Sequence, residues 1–287
     1  MFLTHGKRLW PIVLALVLAA PPGGVLAATL DRIGRDKTIR IAYREDAPPF
    51  SYQDKSGAPA GFIVDLCRAV VKHLAGQLNL PALKIDFVPV TASDRFAAIE
   101  NGKADLLCEA TTETLSRRRE ADFSIPTFVD GAGLMIRTDG PRSLKALDGR
   151  KIGVLAGTTT EQELHNTLKD AGITADVIPA TTHEQGLTML DDNKISAYFA
   201  DRSILLFLIR KSQSPQKLML ADNYLTIEPY ALALPRGDED FRLAVDRALS
   251  HIYRDGEIGA IFTQAFGGKA KPSGIIETLY AVTALPD

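Results

Sequence analysis

Cysteine is almost absent: the 287 residues hold two, Cys67 and Cys108. Two thiols and five scattered histidines show no close ligand spacing, so no metal site and no cofactor is expected. Strong charge of one sign is missing too. The formal net charge is −2, which argues against a general nucleic-acid binder. Only one long apolar run occurs, Leu9 to Ala20, too short to cross a bilayer comfortably. It follows Lys7 and Arg8 and leads to Val25-Leu26-Ala27, so residues 1–27 read as a signal peptide and the mature chain as exported. No cysteine stands near the cleavage point, which excludes a lipid anchor on that residue type. In an exported chain the two cysteines either form a disulfide or stay as separate buried thiols. A bridge would pin Cys67, on a helical stretch, to Cys108, on a strand.

What is present is an alternation of strand and helix patterns. Length and a 46% hydrophobic content allow two domains. Ile39 to Tyr43, Lys84 to Val88 and Ala104 to Cys108 read as strands. Between the first two, Ile63, Leu66, Val70, Leu74 and Leu78 recur at helical spacing. Ser93 can cap a helix through Phe96 and Ile99. After Gly131 the order repeats: strands at Gly133 to Arg137, Lys151 to Leu155, Asp176 to Ile178 and Ile195 to Ala200, with helices opening near Thr159, His183 and Ser203. Tyr230 to Leu234 reads as a strand and Glu239 to Tyr253 as a long helix. A further helix covers Ile258 to Phe266. The tail reads as loop with a short apolar patch at Leu279-Tyr280. Such alternation predicts α/β structure with parallel sheets.

Polar residues collect where these strands end. Arg44, Arg95, Thr111, Thr112 and Arg117 do so in the first half, and Thr158, Thr159, His183 and Asp201 in the second. That is where α/β proteins bind ligands, and two such sets suggest a cleft between two lobes. Three arginines and a histidine facing one definite carboxylate, Asp201, would suit a ligand with one ammonium and two carboxylates. Each residue also has a plain reading. Arg44 and Arg95 could pair with Glu45 or Asp94 at the surface, and Asp201 could cap the next helix. His183 could be only a helix N-terminal residue, and Thr111-Thr112 with Arg117-Arg118-Arg119 a capped, solvated turn.

From Thr29 to Phe266 the chain resembles the periplasmic polar-amino-acid-binding proteins that feed ABC transporters, in particular the glutamate/aspartate-binding branch. The matching pieces are Tyr43-Arg44-Glu45, Pro49-Phe50-Ser51-Tyr52, Gly61-Phe62 with Asp65, Val90-Thr91 with Arg95, and Thr111-Thr112 with Arg117. Asp122-Phe123-Ser124, Gly157-Thr158-Thr159, His183, Asp201 and Tyr230 continue them. The resemblance implies a two-lobe periplasmic-binding-protein type II fold with a hinge. Its lobe 1 would take residues 28–130 and, with the tail, 232–287, and lobe 2 residues 131–231. It also implies a periplasmic location, a monomer, an amino-acid ligand and an inner-membrane permease as partner. By the same resemblance Thr112 and Arg117 would hold the α-carboxylate and Asp201 the α-ammonium. Arg44, Arg95 and His183 would receive a side-chain carboxylate. Ala92 and Ala110 stand where that branch commonly has serines, and Glu109 where a small residue is usual; Glu109 could offset one arginine. The other reading on this fold is a cyclohexadienyl dehydratase-like enzyme, with Glu109 or His183 as acid or base.

Overall fold

The computed structural model describes residues 29–221 and 225–286; the signal-peptide reading falls outside them. The described residues open with helix α1 (Thr29–Asp36) and strand β1 (Thr38–Arg44). Helix α2 (Phe62–Gln77), strand β2 (Lys84–Val90), helix α3 (Arg95–Glu100), and the short strands β3 (Leu106–Leu107) and β4 (Asp122–Phe123) follow. Strand β5 (Phe128–Asp130) leaves this body. The second body holds β6 (Ala132–Arg137), β7 (Lys151–Leu155), α4 (Thr159–Asp170), β8 (Asp176–Ala180), α5 (His183–Asp191), β9 (Ala197–Asp201), α6 (Arg202–Lys211) and β10 (Leu218–Leu220). Strand β11 (Glu228–Tyr230) returns, β12 (Ala233–Leu234) rejoins the first sheet, and helices α7 (Glu239–Arg254), α8 (Glu257–Phe266) and α9 (Gly274–Thr283) close the chain.

The first sheet runs β2-β1-β3-β12-β4 and the second β8-β7-β9-β6-β10. In both, the strand that opens the first βαβ unit pairs in parallel with its two neighbours. The crossing strands β5 and β11 pair antiparallel, Phe128 opposite Tyr230 and Asp130 opposite Glu228. This is the two-lobe, type II periplasmic-binding-protein fold.

Strand alternation puts Ile39 and Ile41 against Ile63, Leu66, Val70 and Leu74 of α2, all fully buried. Ala42 joins Leu107, Ala98 and Ile99 in a separate cluster. Each buried Leu or Ile contributes about 1.5–3 kcal/mol. Helix α2 begins at Gly61, with φ +119°; a Cβ there would come within 2.4 Å of the Phe50 carbonyl oxygen, so only glycine fits. The amides of Phe62 and Ile63 donate to the carbonyls of Pro49 and Phe50, which ties the 46–53 loop to the helix start. Cys67 and Cys108 form a disulfide with a Cα–Cα distance of 6.3 Å. The bridge fixes the end of β3 against α2, one residue before Glu109.

Three expectations give way. The tail is helical where a loop was expected. Ile276 and Tyr280, one turn apart, bury one face of α9, and the Tyr280 hydroxyl donates to the Thr127 carbonyl at 3.2 Å. Tyr230 to Leu234 is two strands in different sheets, because the chain leaves the crossing at Tyr230 before pairing with β3 and β4. Ser93 does not cap α3; Asp94 holds the N-cap position, and its carboxylate instead accepts from the Thr91 amide at 2.7 Å. The stretch Arg117–Arg119 after Thr112 forms a short 3-10 turn.

Candidate functional site

The strand ends of the two sheets face each other across one cavity. It is lined by Arg44, Arg95, Thr112 and Arg117 from one lobe and Thr158, Thr159, His183 and Asp201 from the other, with Ala110, Thr160 and Ile204. Eight of the nine residues singled out from the sequence therefore meet in one place. Thr111 does not line it: the side chain is fully buried and its hydroxyl donates to Glu109.

Local structure decides what each group has free. Arg117 follows Thr112 by five residues and folds back, donating from Nη1 to the Thr112 carbonyl at 2.7 Å. Its guanidinium and that of Arg95 both lie against the Phe96 ring, 5.2 and 5.1 Å from the centroid. Burial lowers the pKa of both, that of Arg95 to about 10, and Glu109 opposes the shift in each case. Both remain cations at neutral pH. Thr158 caps α4, accepting from the Glu161 amide at 3.1 Å. Thr159 donates across the cleft to Thr112 Oγ1 at 3.3 Å and to Glu228 at 3.2 Å.

Asp201 occupies the N-cap position of α6, yet its side chain makes no capping bond. Asp130 takes that role, accepting from the Ser203 amide at 3.1 Å. The plain reading of Asp201 as a cap is thereby replaced. Asp201 Oδ1 is buried and no donor among the described residues meets it in good hydrogen-bond geometry, although the Tyr230 hydroxyl lies beside this carboxyl, close enough to pull its pKa down. Burial first, then Asp130 and Glu228, raise the Asp201 pKa well above the ordinary carboxylate range. A cation arriving here would find an oxygen with unused acceptor capacity and would favour the ionised form of the carboxyl.

The other end of the cavity departs from the simplest charge count. Arg44 does not pair with Glu45; it donates from Nε and Nη2 to Asp46 Oδ1 at 2.9 and 2.6 Å. Arg95 does not pair with Asp94. Its Nε stands 3.2 Å from Glu109 Oε1, and Arg44 Nη1 stands 3.9 Å from Glu109 Oε2. His183 is buried, its Nδ1 3.0 Å from the Tyr198 hydroxyl, and desolvation lowers its pKa to about 3, so the ring is neutral at working pH. Sequence reasoning missed Asp46, Asp130, Glu228 and Phe96. Asp46 lies two residues after Arg44, a usable signal. Phe96 stands next to Arg95 on α3, a signal as well, whereas Asp130 and Glu228 become neighbours only through the crossing strands, which no local pattern reveals.

A cavity between two sheets' strand ends, with cations on one wall and an unpartnered carboxylate on the other, defines a two-lobe small-molecule binder. Residues 39–268 match the bacterial extracellular solute-binding proteins, family 3, and the chain belongs to that family. It is 30% identical over 266 residues to a Pseudomonas aeruginosa protein named L-glutamate/L-aspartate-binding protein, covering 92% of this chain and 88% of the relative. It is 28% identical to the glutamate/aspartate import solute-binding protein of Salmonella typhimurium, over 89% of this chain and 84% of that one. Among solved structures it resembles an ancestral amino-acid-binding protein described as a precursor of cyclohexadienyl dehydratase. That likeness has a TM-score of 0.73 and 26% identity, over 83% of this chain and 99% of that one.

Proposed function

We propose that this protein is the periplasmic solute-binding component of an amino-acid ABC importer. It would capture an α-amino acid between its lobes and present the closed form to an inner-membrane permease. The observation that carries the reading is Arg117 and Asp201 lining one cavity from opposite lobes, Asp201 Oδ1 without a partner. Arg117 and Thr112 receive the α-carboxylate, and Asp201 the α-ammonium, so the ligand bridges the lobes and favours closure. The crossings at β5 and β11 serve as hinge. The relatives' names support glutamate and aspartate as the ligand set. Arg44, Arg95 and His183 supply the donors for the side-chain oxygens.

The enzyme alternative has little support at the residues it would need. A histidine with a pKa near 3 is a poor base at neutral pH, and Glu109 is held by Thr111 and Arg95. Calorimetry with a panel of amino acids tests the binding reading. Arg117→Ala should cost about 2–5 kcal/mol for every α-amino acid that binds, whatever its side chain. Unchanged affinity in that variant would remove the central contact.

A further inference from the structure

Glu109 is fully buried, and it lies between two guanidiniums that line the cavity. With Asp46 on Arg44 and Glu109 on Arg95, each cation at the side-chain end already has an internal carboxylate. A ligand carboxylate placed there would be a third acid against two arginines in a buried site. Like charges so close do not both stay ionised. Donors are nonetheless left over. Arg95 Nη1 and Nη2 make only long contacts to the Gly157 carbonyl, at 3.4 and 3.5 Å, and Arg44 Nη1 is beyond hydrogen-bond reach of Glu109. Glu109 Oε2 has no hydrogen-bond partner among the described residues, so an acceptor is present as well.

Resting on the amino-acid reading above, we propose that Glu109 sets selectivity by supplying the counter-charge itself, so the side-chain end takes a neutral –C(=O)–XH group. That group accepts from the arginines and carries a hydrogen for Glu109. A side-chain amide has this form as it stands. A carboxylate acquires it by taking one proton from solvent on binding, the COO⁻ becoming COOH with no other bond changed.

The two sources separate by proton count. The groups facing Glu109 and its arginines are Arg44, Asp46, Arg95, Arg117, His183 with the Tyr198 hydroxyl on its ring, and Asp201. Of these, Asp201 responds to the ammonium common to all α-amino acids, and His183 is neutral throughout the range used. The difference between glutamate and glutamine therefore isolates the side-chain end. Calorimetry of the wild-type protein in phosphate and in Tris buffers, from pH 6 to 8, should show glutamate taking up one more proton than glutamine. Glutamate affinity should fall about tenfold per pH unit relative to glutamine, since its free side chain is ionised above about pH 4.3. In Glu109→Gln the extra proton should disappear, and glutamate should bind more tightly at pH 8 than it does to the wild type. The wild-type comparison stands alone if that variant fails to fold. Equal proton counts with glutamate binding at least as tightly as glutamine at pH 8 would overturn the proposal and leave the amino-acid reading intact. If neither ligand nor any other amino acid binds, the amino-acid reading itself fails, and this proposal with it.

Discussion

Asp201 is available to a ligand because Asp130 takes over its capping duty, and Asp130 carries a cost for it. Its carboxyl lies half-buried opposite Glu228 in the β5–β11 pair, where like charges repel. Desolvation pushes its pKa up to about 6 from an ordinary 3.8, although the Gly131 and Ser203 amides pull the other way. The folded state thus binds a proton more tightly than the unfolded chain does. Stability from this group is fully present below about pH 4 and declines as pH rises through 6, by up to about 3 kcal/mol. Urea unfolding of the ligand-free protein should show a higher midpoint at pH 4.5 than at pH 7 from this contribution. Asp130→Asn, which keeps an acceptor for Ser203, should flatten that part of the profile. Identical pH profiles for the two proteins would show that Asp130 is not the group responsible. An α-ammonium at Asp201 opposes the same repulsion, so glutamine, whose side chain takes up no proton, should stabilise the wild type more at pH 7 than at pH 5.

At the scale of elements, the disulfide holds together the part of the fold that carries Glu109, Thr112 and Arg117. Its loop spans 41 residues, for which the chain-entropy account gives about 4 kcal/mol. Cys67→Ala with Cys108→Ala should lower the unfolding free energy by a few kcal/mol in chemical denaturation; a change below 1 kcal/mol would show that packing of α2 on β1 suffices without it. Helix α2 itself was legible, because Ile63, Leu66, Val70 and Leu74 repeat at 3.6-residue spacing and all face one sheet. The strand ends were legible from pattern too: short apolar runs give way to polar residues at Arg44, Thr112 and Asp201. Helix α9 was not, since Gly274 and the preceding loop hide a stripe of only Ile276 and Tyr280. The offsetting of an arginine by Glu109 was legible as well, whereas the partnership of Asp46 and Glu228 with the site was not. Sequence shows which groups stand at strand ends, whereas charge balance depends on which strands lie opposite, and that is set by the crossing between the sheets.

For the molecule as a whole, the direct polar contacts that join the lobes at the cleft are few and long. Thr159 meets Thr112 at 3.3 Å, Arg95 meets the Gly157 carbonyl at 3.4 and 3.5 Å, and the His183 amide meets Asp46 at 3.4 Å. A net worth of about 0.5–1.5 kcal/mol is typical of a well-formed hydrogen bond, and these fall at the weak end. Closure also gathers Arg44, Arg95 and Arg117 with Asp46, Glu109, Asp130, Asp201 and Glu228 in a site largely withdrawn from water, which opposes it. The balance between open and closed forms should therefore rest on the ligand, which adds charge-assisted contacts to Arg117 from one lobe and to Asp201 from the other. Only contacts made in the closed form and absent in the open one can shift that balance. X-ray scattering should show the radius of gyration of the wild-type protein falling when a binding amino acid is added. Asp201→Asn should retain lobe-one binding through Arg117 but lose most of that contraction, because the amide cannot answer an ammonium with charge. Thr159→Ala, which removes the hydroxyl contacts to Thr112 and Glu228 but no charged group, should contract almost as the wild type does. If the ligand-free wild type already scatters as the compact form, inter-lobe contacts alone close the cleft. Ligand then enters a preformed site, and the bridging role assigned to Asp201 is not needed for closure.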